Sequence, residues 1–207
     1  MARAYSTTAL LSKKFDLYDF DGHWLQSFGK PARGSVWIIY GDSTNGKTTF
    51  TLQLCKYLTN FGRVAYNSLE SGYGAAMQEA YKNTGMEEVK SKITLLDKEP
   101  IEELIVRLKK KKSPDVIVID SIQYSQLSYK DYIRFKDMFR HKTLIFISHY
   151  EGNQVIGSCA KRIRFDSDVK IHVDRYMAFV RGSRFGGVQE PFVIWKEKAE
   201  EYWGKEI

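Results

Sequence analysis

Cysteine is scarce. Cys55 and Cys159 are the only two among 207 residues, and neither belongs to a C-x-x-C pair. That excludes a disulfide framework and a zinc ribbon. Long apolar runs are missing as well. The longest, Val36–Tyr40, Val116–Ile119 and Leu144–Ile147, fall far short of the roughly 18 residues that span a bilayer, so no membrane segment is expected. Residues Met1–Ser12 lack the basic start, apolar stretch and small-residue cleavage site of a secretory signal, which makes the cytoplasm the expected location. No internal repeat or low-complexity linker interrupts the chain. Its length favours one domain. With 43% hydrophobic and 28% charged residues it has enough apolar material for a core and is not a disordered tail.

Charge is unevenly placed. Thirty-two basic residues against 25 acidic give +7, which permits a polyanionic partner without requiring one. Between Lys161 and Arg184, seven basic residues stand against three acidic. The other dense run, Lys109–Lys112, closes a predicted helix, where cations complement the exposed carbonyl end of the dipole. By sequence alone that run is a solvated helix end and no evidence for nucleic acid.

From Ser35 onward, short β-branched runs alternate with helical patterns. Strands are expected at Val36–Tyr40, Arg63–Ser68, Lys92–Leu96, Val116–Asp120 and Thr143–Ser148, and helices at Lys47–Thr59, Tyr73–Asn83, Ile101–Lys112 and Tyr129–Phe139. Unbroken apolar strands of this kind belong to a mostly parallel central sheet with helices on both faces, an α/β fold. After Tyr150 a polar, glycine-containing stretch runs to about Ser167. Alternating segments at Val169–Arg181 and Pro191–Lys196 then read as C-terminal antiparallel strands extending the same sheet. The expected division is an aromatic-rich N-terminal extension over residues 1–33 and one domain over 34–207.

The first strand runs into Gly41-Asp42-Ser43-Thr44-Asn45-Gly46-Lys47-Thr48-Thr49, a G-x-x-x-x-G-K-T pattern entering a helix. Gly41 and Gly46 let the backbone turn its N–H groups around a β-phosphate, and the helix N-terminus adds partial positive charge. Lys47 is placed to reach the β- and γ-phosphates, and the Thr48 hydroxyl to ligate Mg²⁺, so the predicted ligands are ATP and Mg²⁺. Asp120 closes the buried strand Val116–Asp120 and is the expected carboxylate of the magnesium shell. Glu70 follows the strand Arg63–Ser68, and ligands of open α/β sheets lie outside the carboxyl ends of the strands. There Glu70 is either the base that orients the attacking water or a solvated turn carboxylate.

Four segments together resemble the RecA-type ATPases, most closely the ATPase core of bacterial RadA (Sms) and the C-terminal motor of DnaB helicases. They are Gly41–Gln53 (GDSTNGKTTFTLQ), Tyr66-Asn67-Ser68-Leu69-Glu70-Ser71, Val118-Ile119-Asp120-Ser121-Ile122-Gln123 and Ser183-Arg184-Phe185-Gly186. The resemblance spans about Gly34 to Trp195. It implies a homo-oligomeric ring or filament hydrolysing ATP at its subunit interfaces, with Glu70 as catalytic base and Arg184 as a finger reaching the neighbour's nucleotide. Gly182 stands where the family has a lysine two positions before that arginine, and Arg181 sits one residue too early to replace it.

Ser148-His149 resembles the family's sensor segment, which leaves His149 as either a γ-phosphate sensor or an ordinary satisfied loop residue. Glu151–Phe165 occupies the place of the second DNA-binding loop, with Lys161, Arg162 and Arg164 as phosphate contacts or as merely solvating cations. RadA's zinc module and protease-like domain, and DnaB's helical domain, have no counterpart here. That implies a minimal stand-alone core of phage or mobile-element type, loaded by a protein partner. The implied function is an ATP-dependent motor on single-stranded DNA in recombination, repair or replication. The alternative is a nucleotide-driven switch or scaffold that binds a protein partner. A small-molecule kinase is disfavoured, because nothing resembles an acceptor-binding lid.

Overall fold

Branched apolar strands fix the centre of the molecule. The computed structural model describes residues 4–185 and 190–205. The chain runs α1 (Thr7–Ser12), α2 (Gly22–Phe28), β1 (Val36–Gly41), α3 (Lys47–Leu58), β2 (Val64–Ser68), α4 (Ala75–Asn83), β3 (Ile93–Asp97), α5 (Ile101–Leu108), β4 (Val116–Asp120), α6 (Tyr129–Met138), β5 (Thr143–Glu151), β6 (Gln154–Val155), α7 (Ser158–Asp166), β7 (Val169–Asp174), β8 (Met177–Ser183), β9 (Phe192–Val193) and α8 (Lys196–Trp203). The sheet order is β3-β2-β4-β5-β1-β7-β8-β9, with β6 paired to β5. All neighbours from β3 to β7 are parallel, whereas β7, β8 and β9 are antiparallel.

Side chains of β1 alternate between two cores. Trp37 and Ile39 join Phe50, Leu54 and Leu58 of α3 on one face. Val36, Ile38 and Tyr40 join Leu104 and Leu108 of α5, Tyr132 and Phe135 of α6 and Ile163 of α7 on the other. Both faces are therefore covered, which is why β1 and β4 read as continuous apolar runs. Ile101, Leu104 and Leu108 are the buried residues of α5, the three- and four-residue spacing of a helix laid on a sheet. In α6 the Ser128 hydroxyl accepts from the Asp131 amide and satisfies one of the first-turn donors that have no partner within the helix.

Three expectations need correcting. Residues 1–33 are only partly an extension: Tyr18, Phe20 and Phe28 are buried, Leu17 bridges Ala32, and the Tyr18 hydroxyl lies 2.8 Å from Thr143 Oγ1. Aromatic rings bury 150–250 Å² each, so this segment docks on the core without a regular stripe. By contrast α1 has no buried residue. The stretch Glu151–Phe165 is not a loop. Gly152 and Asn153, with φ of 55° and 64°, turn β5 into β6, as positive φ at both central residues allows. Helix α7 then forms by burying Ala160 and Ile163. Finally, Val169–Arg181 is two strands split at Arg175-Tyr176, both at positive φ, with no Gly or Asn to announce the turn.

Candidate functional site

Register brings the site together. Gly41 pairs with His149, Ser68 with Asp120 and Asp120 with Ile147, so the carboxyl ends of β1, β2, β4 and β5 meet at one rim. The cleft there has a volume of about 630 Å³ and is lined by Gly41, Ser43, Thr44, Gly46, Lys47, Thr48 and Thr49, by Glu70, Asp120 and His149, and by Tyr176 and Trp195. Asp42 and Asn45 belong to the loop without lining the cleft. The Asn45 amide donates to Asp174 Oδ1 (3.2 Å), and its carbonyl accepts from the Tyr176 amide (3.1 Å).

The loop geometry depends on its two glycines. A Cβ on Gly41 would sit 2.0 Å from the Val173 carbonyl oxygen of β7. Gly46 caps α3 at φ 96°, a left-handed conformation that glycine adopts without penalty. The Lys47 ammonium donates to the carbonyl oxygens of Gly41 (2.8 Å) and Asp42 (2.6 Å). Burial lowers its pKa, against the pull of Asp120, Glu70 and Asp42.

Asp120 is buried, and burial pushes its carboxyl up to about 6, opposed by the Tyr66 hydrogen bond and by Lys47. The Tyr66 hydroxyl donates to Asp120 Oδ2 at 2.5 Å. Glu70 is oriented by its backbone, whose amide donates to the Asp120 carbonyl (3.1 Å), and by its carboxylate. Oε2 accepts from Ser121 Oγ (3.2 Å) and lies 2.8 Å from His149 Nε2; a carboxylate acceptor makes that nitrogen the protonated one. Gln123 ties the rim together: its amide donates to Ser148 Oγ (3.0 Å) and the Ile156 carbonyl (2.7 Å), and its Oε1 accepts from the His149 amide (3.2 Å).

These groups fit ATP and Mg²⁺. An ammonium resting on two carbonyls at the loop mouth is a cation without an anion, and Asp120 is a buried carboxylate facing it. No cluster of three or more His, Cys, Asp or Glu suited to a metal occurs among the described residues. A cation here would be held by one carboxylate, the Thr48 hydroxyl and the oxygens of its ligand and water, which is how Mg²⁺ usually binds.

Four expected site residues lie elsewhere. Arg164 donates to the Tyr40 hydroxyl (3.2 Å) with its guanidinium over that ring (4.5 Å). Arg162 covers the Tyr129 ring, and Lys161 is exposed on the same helix, α7. Arg184 pairs with Asp168 Oδ1 (3.1 Å), and its amide donates to the Asp168 carbonyl. Gly186, the last residue of its motif, lies outside the described residues. The sequence reading assigned no role to Tyr66, Ser121, Gln123, Tyr176 or Trp195. Tyr66, Ser121 and Gln123 stood inside the matched segments; Tyr176 and Trp195 carried no signal, because only the hairpin turn and β9 bring them to the cleft.

A mostly parallel sheet with helices on both faces, antiparallel C-terminal strands and a glycine-rich loop between β1 and α3 is the RecA-like phosphate-loop fold. No protein-family model and no curated protein matches the chain. Among solved structures, the flagellar accessory protein FlaH from Methanocaldococcus jannaschii is similar with a TM-score of 0.63 and 17% identity, over 87% of this chain and 97% of that one. A KaiC-like protein from the hyperthermophilic archaeon Pyrococcus horikoshii is similar with a TM-score of 0.62 and 17% identity, over 86% and 93%. At that identity the likeness is one of fold. Among the described residues no helix is long and apolar enough to cross a membrane.

Proposed function

We propose that this protein is a cytoplasmic ATPase that works as an oligomeric motor of the RadA or DnaB kind on single-stranded DNA. The observation that carries the ATPase reading is the convergence, set by strand register, of the Gly41–Thr49 loop, Asp120 and Glu70 on one cleft. Loop amides and Lys47 bind the triphosphate, Thr48 and Asp120 steady the magnesium, and Glu70, aimed by Ser121 and His149, takes the proton of the attacking water. The Mg²⁺ that Thr48 and Asp120 would hold would supply neutralising charge for the transferring phosphoryl group.

Arg184 supports an interface role. The Asp168 amide donates to the Val36 carbonyl, which puts Arg184 beside the amino end of β1. It is roughly 15–20 Å from its own phosphate loop at about 3.3 Å per strand residue, too far to serve its own nucleotide, which supports a role towards a neighbour's. Lys161 and Arg162 on α7 are the proposed DNA contacts. Arg164, packed on Tyr40 next to Gly41, links that helix to the loop.

The test is the rate of ATP hydrolysis with and without single-stranded DNA. The wild type should be stimulated, and Lys47→Ala should lose nucleotide binding or turnover. A Lys47→Ala protein with both intact removes the site assignment. Exposed Leu10, Leu11 and Phe15 around α1 favour a second reading, a switch that answers to a protein partner; a rate indifferent to DNA but raised by that partner selects it.

A further inference from the structure

The run Lys109–Lys112 acquires neighbours in the fold that it lacks in the sequence. Val64 is in register with both Ile93 and Val116, so the residues leading into β2, β3 and β4 lie side by side at the amino end of the sheet. Arg63 precedes β2, Lys92 precedes β3, and Lys110, Lys111 and Lys112 precede β4. A hollow of about 300 Å³ opens between them, and Arg107 completes its rim. No aspartate or glutamate lines it. Asp115 is turned to the Arg63 amide (2.9 Å), and Glu99 is taken up by Arg107 (2.8 Å). The Arg63 guanidinium is anchored on the Lys112 and Ser113 carbonyls. Lys92, Lys110, Lys111 and Lys112 are exposed and have no ion-pair partner among the described residues.

Arg107 is neutralised by Glu99, and the four lysines remain as charge of one sign that focuses a field and recruits polyanions. The lining tells which kind. Protein partners draw their binding energy from an exposed apolar or aromatic centre, and single strands gain theirs by stacking bases on aromatic rings; the hollow contains no aromatic side chain, and its apolar lining residues Val64, Ala65 and Leu96 are buried in the core. Lysine point charges alone suit the phosphates of a duplex, contacted without reading sequence.

We propose that this amino-end face binds the backbone of double-stranded nucleic acid. It lies at the opposite end of the sheet from the nucleotide cleft, about 16 Å away along a five-residue strand. It is separate from α7 and does not rest on the ATPase reading.

The experiment is anisotropy titration of a fluorescein-labelled duplex against the full chain over a salt series, with Lys92→Gln/Lys110→Gln/Lys111→Gln beside the wild type. Each lost contact should lower the slope of log affinity against log salt by roughly 0.9, or about 2.7 for three, and low-salt affinity should fall at least about tenfold. The matching Lys→Arg triple should bind as the wild type does, separating charge from fold. Lys47→Ala should also bind the duplex normally, and the Gln triple should keep its basal ATPase rate, so failure here and failure of the nucleotide site are told apart. An unchanged slope in the Gln triple overturns the proposal. So does tighter binding of the single strand at this face, or equal competition by a polyglutamate peptide, which would make the partner an acidic protein.

Discussion

Replacing Tyr66 by Phe removes one oxygen from a fully buried ring and leaves the ring itself to fill its space. The atom lost is the donor 2.5 Å from Asp120 Oδ2. Hydrogen bonds to charged groups contribute about 1.5–3 kcal/mol. At 1.36 kcal/mol per pKa unit, losing this one raises the Asp120 carboxyl by about 1–2 units from a starting value of about 6. The sign follows from which form the bond favours: Tyr66 donates to the carboxylate, so without it protonation becomes easier. In the proposed mechanism ionised Asp120 is the form that steadies magnesium, so activity should be lost as pH falls through its pKa. The assay is kcat/KM for ATP between pH 5 and 9 at sub-saturating Mg²⁺, a quantity that reports groups of the free enzyme. Tyr66→Phe should move the acid limb to higher pH by about 1–2 units and regain wild-type values at the alkaline end. A limb that stays in place above a uniformly lowered plateau would refute the reasoning and leave Tyr66 as packing alone.

Asp120 also sets a stability prediction. Its folded pKa of about 6 lies above the ordinary 3.8, so the ionised form costs up to about 3 kcal/mol at pH 7, a cost that fades as pH falls from 6 towards 4. Asp120→Asn should be more stable than the wild type in metal-free urea denaturation at pH 7 and equal to it near pH 4, while losing Mg²⁺-dependent turnover; lower stability at both pH values contradicts this. Glu70→Gln should bind ATP normally and hydrolyse it at least about 10²-fold more slowly, with an unaltered rate excluding Glu70 as base. Gly41→Ala drives a Cβ into the Val173 carbonyl, where backbone must move, and should destabilise by about 3 kcal/mol or more. An unchanged melting temperature would show that β7 yields freely.

Strand positions were legible because full burial writes itself as branched apolar runs: Val116–Asp120 has the bounds expected, and β1 differs by one residue. The phosphate loop was legible because its glycines and lysine are needed at fixed spacing. Helix α7 was not, since Gly152 and Gly157 suggested a loop, and its buried face is only Ala160 and Ile163. The N-terminal aromatics were missed for a related reason. Tyr18 and Phe20 pack on each other and on Phe61, and Phe20 and Phe28 share Trp37, but no sustained helical or strand period runs through them to announce it. The hydrogen-bonded set around Glu70 is assembled from β2, β4 and β5, and only the register places those residues side by side.

The same N-terminal packing bears on how the chain is made. Trp24 stacks on Tyr57 of α3 at 4.9 Å and lies 4.4 Å from Phe192 of β9, so α2 and β9, far apart in sequence, meet beside α3. Contacts of such high sequence separation slow folding. On the ribosome, Trp24 and Phe28 stay without their last cover until β9 has emerged. A nascent chain stalled before that point keeps sticky aromatic surface in the open, which is where a chaperone would find it.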